Sequence, residues 1–128
     1  IIISSENELE PSLSKYRINL EIDEIHSLLY GASLYIGEGA TMASEAAILG
    51  TPSIYLNTLN VGYLDELSEL YGIVLIPNNE EEIFNMIEEV SKKSEEYFKQ
   101  VRQEILSKNV NLTKYLIQFL ETSCLKSG

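Results

Sequence analysis

Apolar residues in the first half of the chain fall into short, nearly unbroken runs. Four runs are clear, at Ile1–Ile3, Leu34–Ile36, Ser53–Leu56 and Ile73–Ile76, and a weaker fifth lies at Ile18–Leu20. Such runs show little alternation of polar and apolar residues, which is typical of parallel strands covered on both faces. We therefore predict five strands in a mostly parallel sheet.

Apolar residues at helical spacing separate the later runs and fill the second half of the chain. The pattern predicts crossover helices over 23–32, 41–49 and 63–71, and the second is closed by Gly50 and Pro52. Three longer stripes follow, formed by Ile83, Met86, Ile87 and Val90, by Tyr97, Phe98, Val101 and Ile105, and by Leu112, Leu116, Phe119 and Leu120.

This order of elements predicts an α/β fold, a three-layer α/β/α sandwich of the Rossmann-like type with right-handed crossovers. We expect one domain over residues 1–128, with strands and crossover helices in 1–77 and terminal helices in 78–122. A length of 128 residues with 45% hydrophobic content suits one such domain. The chain starts without Met inside a β-branched run, so we expect it to be a fragment of a longer protein.

Net charge, the length of the apolar runs and cysteine content limit which partners, metal sites and cellular location we expect for the chain. Twenty acidic against nine basic residues give a formal charge of −11, which repels nucleic acid and anionic membranes. No apolar run approaches the roughly 18 residues that a membrane span needs. Cys124 is the only cysteine, so neither an intrachain disulfide nor a thiolate metal site can form. We expect no metal, no cofactor and a cytoplasmic location.

Residues 37–52 carry the strongest chemical signal, because small residues stand where a strand passes into a helix. The segment reads Gly-Glu-Gly-Ala-Thr-Met-Ala-Ser-Glu-Ala-Ala-Ile-Leu-Gly-Thr-Pro. A helix N-terminus at the carboxyl edge of a parallel sheet offers free N–H groups to an anion. Gly37, Gly39 and Ala40 would let a phosphate approach the backbone. Thr41 is the expected N-cap, and its hydroxyl could also bind a phosphate oxygen.

Glu45 lies one helical turn beyond Thr41, one residue later than a capping box requires. A carboxylate at that place can accept hydrogen bonds from two ribose hydroxyls, which together with the helix N-terminus would fit a nucleotide diphosphate. The alternative is that the small residues only allow close helix–sheet packing and that the acid favours the helix without any ligand. Glu38, a second acid beside the phosphate site, favours this alternative.

Four segments resemble domain-of-unknown-function family 354, a family of prokaryotic proteins similar to the GT-B superfamily of glycosyltransferases and UDP-N-acetylglucosamine 2-epimerase. The resemblance covers about residues 1–76. The segments read Ile-Ser-Ser-Glu-Asn-Glu-Leu (3–9), Tyr-Arg-Ile (16–18), Ile-His-Ser-Leu-Leu-Tyr (25–30) and the glycine-rich stretch 37–52.

This resemblance implies the C-terminal half of a two-domain protein that holds a nucleotide-sugar between its halves, and we expect a UDP-sugar. It implies that Gly39, Ala40 and Thr41 face the diphosphate and that Glu45 faces the ribose. Secondary candidates are Leu20 and Ile22 near the base, His26 at a phosphate or acceptor, and Asn57, Thr58 and Tyr63 near sugar or phosphate.

The resemblance also raises the question of how the sheet closes, because the family places one more strand and helix upstream of Ile1. Without that strand, we expect the five strands to close in the flavodoxin-like order 2-1-3-4-5; alternatively, another chain fills the gap. Catalytic residues are unknown, and the fragment alone should be inactive without its N-terminal half. The stripe ending at Leu120 could dock on that half or on a second copy, forming a homodimer. A non-catalytic binding or interaction domain is the alternative function.

Overall fold

Three short parallel strands form the sheet of this α/β chain. They are β1 (Tyr35–Gly37), β2 (Ser53–Tyr55) and β3 (Val74–Leu75), in the spatial order β1-β2-β3. The structure is a computed structural model, and it describes residues 1–19 and 21–125. Each of the three strands overlaps one of the predicted apolar runs. The central strand β2 is buried at every residue, as a strand covered on both faces should be.

Six α-helices accompany the strands over the described part of the chain, together with two short 3₁₀ turns at Ser14–Tyr16 and Ile22–Glu24. None of these helices is long and apolar enough to cross a membrane. The helices are α1 (Ile25–Gly31), α2 (Ala40–Leu49), α3 (Gly62–Glu69), α4 (Glu80–Lys92), α5 (Glu95–Lys108) and α6 (Leu112–Leu125).

Local sequence signals set several helix ends. Gly50 follows α2 in the left-handed region at φ 95°, where its N–H donates to carbonyls of the last turn. Asn79 caps α4 by accepting a hydrogen bond from the N–H of Glu82, and Ser94 caps α5 in the same way from Tyr97. The structure has α2 at Ala40–Leu49 and α3 at Gly62–Glu69, within about two residues of the predicted ranges 41–49 and 63–71.

The core lies where α2 and α3 meet the sheet and where α5 packs against α2. The buried face of α2 consists of alanines, Ala43, Ala46 and Ala47, so this helix approaches closely enough to contact all three strands. The larger members of the core are Tyr55, Leu64, Leu67, Tyr71, Ile73, Val74, Val90, Phe98, Val101 and Ile105. The α2 N-terminus is thereby fixed against the carboxyl edge of β1.

The expected five-stranded sheet, and with it the sandwich order 2-1-3-4-5, is wrong. Among the described residues, neither Ile1–Ile3 nor the described part of the other run, Ile18 and Asn19, contributes a strand to the sheet. Their segments instead meet at one parallel bridge between Ile3 and Arg17, with Ile3 N–H donating to Tyr16 O at 2.8 Å. The chain turns immediately on both sides, at the Ser5–Asn7 bend and at the 3₁₀ turn before Arg17, so the β-branched residues have strand propensity but no room for a longer ladder.

Helix α6 lies outside the core. Every side chain described from Leu112 through Ser123 is exposed. The apolar stripe predicted for this helix is therefore present, but it is not buried within the described part of the chain.

Candidate functional site

The loops that follow the strands come together at the carboxyl edge of the sheet. Asn57, in the loop after β2, donates from Nδ2 to the backbone carbonyl of Glu38, in the loop after β1, at 3.5 Å. Asn57 Oδ1 also accepts a hydrogen bond from the N–H of Leu59 at 3.2 Å. The predicted site residue Asn57 therefore lies beside the glycine-rich segment, and Thr58 is exposed in the same loop.

Helix α2 begins one residue earlier than the sequence predicts, so Thr41 is not its N-cap. The N-cap is Gly39, with φ −81° and ψ 111°, and no side chain caps the helix. The first helical N–H that finds a carbonyl belongs to Ala43, which donates to Gly39 O at 2.9 Å. The N–H groups before it have no intrahelical acceptor, and the Thr41 side chain is exposed beside them.

The Tyr35 side chain leaves no room for a side chain at Gly37, the first glycine of the segment. Residues two apart on a strand share a face, and a Cβ on Gly37 would overlap the Tyr35 hydroxyl oxygen. Burial raises the pKa of the Tyr35 phenol above its ordinary value, and a hydrogen bond from the Gly39 N–H has a smaller, opposite effect. Gly37 thus serves internal packing.

Gly39 itself has more space. A Cβ at this position would meet Met42 Cβ at 3.6 Å, an ordinary van der Waals contact. The segment that remains accessible to an anion therefore consists of Gly39, which is exposed, the half-buried Ala40 and the exposed Thr41.

Glu45 faces outward from α2 and meets His26 of α1. His26 Nε2 lies 3.3 Å from Glu45 Oε2, with 63% of the histidine side chain and 39% of the glutamate side chain exposed. Glu45 lies four residues after Thr41, on the same face of the helix. An exposed pair of this kind adds little to stability, so the carboxylate is available to a ligand without a large folding cost.

A groove of about 480 Å³ lies on the other flank of α2, between α2, α3 and α5. It brings the predicted site residues Thr41 and Tyr63 together, whereas Glu45 and His26 do not line it. The remaining lining residues are Ser44, Ile48, Glu66, Leu67, Tyr71, Ile105, Leu106 and Asn109. The predicted site residues thus form two groups, one on each side of Thr41.

Two predicted base-proximal residues are not placed in the site. Leu20 lies outside the described residues, and Ile22 begins the 3₁₀ turn before α1 with its side chain also outside them. Over residues 1–19 and 21–125, no group of three or more His, Cys, Asp and Glu side chains is arranged to hold a metal ion.

Sequence reasoning missed several residues of this region. Tyr35 could have been found, because a tyrosine two residues before a glycine in a strand predicts that its ring covers that glycine. Asn109 could not, since nothing in the local pattern indicates that α5 passes beside α2 and α3.

Comparison with known proteins gives one match. Residues 10–113 match the model of a family described as "Protein of unknown function (DUF354)". No protein of curated function and no solved structure matches the chain.

Proposed function

The chain belongs to the DUF354 family, and we propose that it is the nucleotide-sugar-binding half of a glycosyltransferase-like or sugar-epimerase-like protein of GT-B type. A UDP-sugar is the proposed ligand. In this proposal the chain supplies the groups that bind the nucleotide, and a second half supplies the acceptor site and the catalytic groups.

The observation that carries the proposal is the outward orientation of Glu45 beside an uncapped helix N-terminus. The N–H groups of Ala40 and Thr41 and the Thr41 hydroxyl can donate to diphosphate oxygens, assisted by the partial positive charge of the helix end. A carboxylate one turn further along the same face can accept hydrogen bonds from a ribose hydroxyl pair.

The contact between His26 and Glu45 also supports the proposal that Glu45 binds the ribose. At 3.3 Å the imidazole can hold the carboxylate in one orientation. Ribose hydroxyls can then donate to the other carboxylate oxygen, Oε1. The proposal therefore assigns to His26 the positioning of Glu45 rather than a direct phosphate contact.

Ligand-induced thermal stabilisation tests the proposal. UDP, GDP, CDP and the corresponding nucleotide-sugars are added to the protein, and a ligand at 100 times its dissociation constant should add about 2.7 kcal/mol of stability. Glu45→Gln should weaken binding of the stabilising nucleotide about tenfold, corresponding to roughly 1.4 kcal/mol. Glu69→Gln, an exposed acid on α3, is the matched control and should leave binding unchanged.

A second variant separates phosphate binding from ribose binding. Gly39→Ala has room for its methyl group in the folded chain, so stability should hold while the methyl group obstructs a diphosphate at the backbone. Weaker nucleotide binding at unchanged stability would support the proposal. Absence of stabilisation by every nucleotide, also in a protein that carries the second half, would overturn it in favour of a non-catalytic binding or interaction domain.

A further inference from the structure

The Asn57 side chain is turned inward, toward the loop that follows β1. Asn57 is half-buried, whereas residues 56 and 58–60 of the same loop are exposed. Its Nδ2 donates to the Glu38 carbonyl at 3.5 Å, and its Oδ1 accepts from the Leu59 N–H at 3.2 Å. The second bond fixes which end of the amide faces Glu38, because only the amide nitrogen can donate to a carbonyl. Asn57 therefore joins the loop after β2 to the backbone of the glycine-rich segment.

This contact sets the direction of the peptide group between Glu38 and Gly39. The peptide is trans, so its C=O and N–H point in opposite directions and the Gly39 N–H points away from Asn57. Gly37 O also faces the loop after β2, where it accepts from the Leu56 N–H at 2.9 Å. Two successive carbonyls thus face the same loop, although the carbonyls of successive strand residues normally alternate. The backbone therefore leaves the strand conformation at the peptide that Asn57 holds.

Gly39 brings a second orientation of this peptide within reach. Its φ of −81° and ψ of 111° are angles that other residues also adopt, and a Cβ would meet only Met42 Cβ at 3.6 Å and the Tyr35 hydroxyl at 3.7 Å. Neither packing nor the observed angles therefore require glycine. Rotating the Glu38–Gly39 peptide by half a turn, as between type I and type II turns, would take the φ of Gly39 to positive values. Glycine adopts such values without steric cost.

We propose that Asn57 is a positioning residue, which holds the Glu38–Gly39 peptide in the orientation that the anion site needs. Gly39 is the N-cap of α2, so its N–H belongs to the donors at the helix end. Rotation of the peptide would replace this donor with the Glu38 carbonyl oxygen, whose partial negative charge repels a diphosphate. The hydrogen bond from Asn57 keeps that oxygen away and thereby keeps the site open.

The length of the bond makes this a device that can be released. A distance of 3.5 Å is long for an N–H···O bond, so a modest movement of the loop after β2 would free the peptide. The position of that loop therefore regulates the anion site. The effect on a nucleotide rests on the proposed function, whereas the orientation of the peptide does not and can be measured in the ligand-free chain.

Asn57→Asp tests the proposal. The variant keeps the Oδ1 acceptor for the Leu59 N–H but places a second oxygen against the Glu38 carbonyl, which favours rotation of the peptide. The amide nitrogen resonance of Gly39 should then move in the ligand-free protein, because this nitrogen and the Glu38 carbonyl belong to one peptide group. The affinity for the stabilising nucleotide-sugar should fall about tenfold. Asn60→Asp adds the same charge at an exposed position of the same loop, and as the matched control it should leave both quantities nearly unchanged.

A second substitution tests the part played by the glycine. Alanine disfavours positive φ, so Gly39→Ala should hold the peptide in its observed orientation. The amide nitrogen resonance of residue 39 should then be the same in Gly39→Ala with and without Asn57→Asp. A shift of this resonance in the double variant would contradict rotation about glycine as the way in which Asn57 acts.

The remaining outcomes separate this proposal from the proposed function. An unmoved Gly39 resonance in Asn57→Asp would overturn the positioning role, and equal losses of affinity in Asn57→Asp and Asn60→Asp would show a charge effect instead. A moved resonance at unchanged nucleotide affinity would show that this peptide does not control the site, while the proposed function would stand. Absence of binding by every nucleotide-sugar would overturn the proposed function and, with it, the control of a diphosphate site.

Discussion

At the scale of single residues, the two glycines of the 37–52 segment have different roles. Gly37 has no side chain because the Tyr35 ring lies against it, whereas Gly39 has space around it and ordinary backbone angles. Gly37 is therefore explained by internal packing, whereas packing does not explain Gly39. Under the proposed function, the space at Gly39 lets a diphosphate reach the backbone.

Gly37→Ala should destabilise the protein by about 1–3 kcal/mol, because the new methyl group overlaps the Tyr35 phenol and forces the ring or the strand to move. Gly39→Ala is the control and should change the free energy of unfolding by less than about 0.5 kcal/mol. Urea denaturation of both variants measures the difference. Equal destabilisation would mean that backbone freedom, rather than the tyrosine, requires Gly37.

His26→Ala tests the contact with Glu45. The pair is largely exposed, so the free energy of unfolding should change by less than about 0.5 kcal/mol. Nucleotide binding should weaken severalfold, because Glu45 loses the group that orients it. Ser27→Ala, at the exposed neighbouring position of α1, should alter neither quantity; an unchanged affinity in His26→Ala would remove the histidine from the site.

At the scale of elements, the sequence predicted well what depends on local pattern. Apolar runs located β1, β2 and β3, and the Gly50 stop located the end of α2. The prediction failed at Ile1–Ile3, because the β-branched residues indicate a strand but do not show which other strand it would pair with. Strand pairing in a parallel sheet is non-local, and one bridge at Ile3 is all that the bend at Ser5–Asn7 allows.

In the candidate site, too, features set by local sequence could be predicted and contacts between distant elements could not. The position of Glu45 on the face of Thr41 follows from helical spacing, so it could be predicted from the sequence. Its contact with His26 could not, because the two residues lie on different helices and the local pattern does not show how those helices pack. The groove between α2, α3 and α5 depends in the same way on the return of a distant helix.

Thr51 holds the end of α1 against the start of β2. Its buried hydroxyl donates to the carbonyl of Leu29 at 2.6 Å. Thr51→Val keeps the shape but removes this side-chain hydrogen bond, and the Leu29 carbonyl then accepts only from the Ala32 N–H at 3.1 Å. The free energy of unfolding should fall by about 0.5–1.5 kcal/mol. The exposed Thr58→Val should have a much smaller effect in the same thermal or urea measurement; similar losses in both variants would contradict the role of this hydrogen bond.

At the scale of the whole molecule, apolar surface remains exposed at two places. One is the cleft beside β1, whose lining includes Ile1 at 95% and Ile36 at 42% exposure. The other is α6, whose stripe has no cover in the described residues. The acidic net charge of −11 opposes nonspecific association of such surfaces, because like-charged molecules repel each other.

Substitutions on two neighbouring helices can define where the core ends. Ile105→Ala in α5 removes a fully packed side chain and should destabilise the protein by about 2–5 kcal/mol. Leu116→Ala in α6 removes a side chain that is 46% exposed, and the loss should stay below about 0.5 kcal/mol. Urea denaturation at two protein concentrations measures both. A large, concentration-dependent loss for Leu116→Ala would instead show that α6 is buried between two copies, because the stability of a dimer depends on protomer concentration.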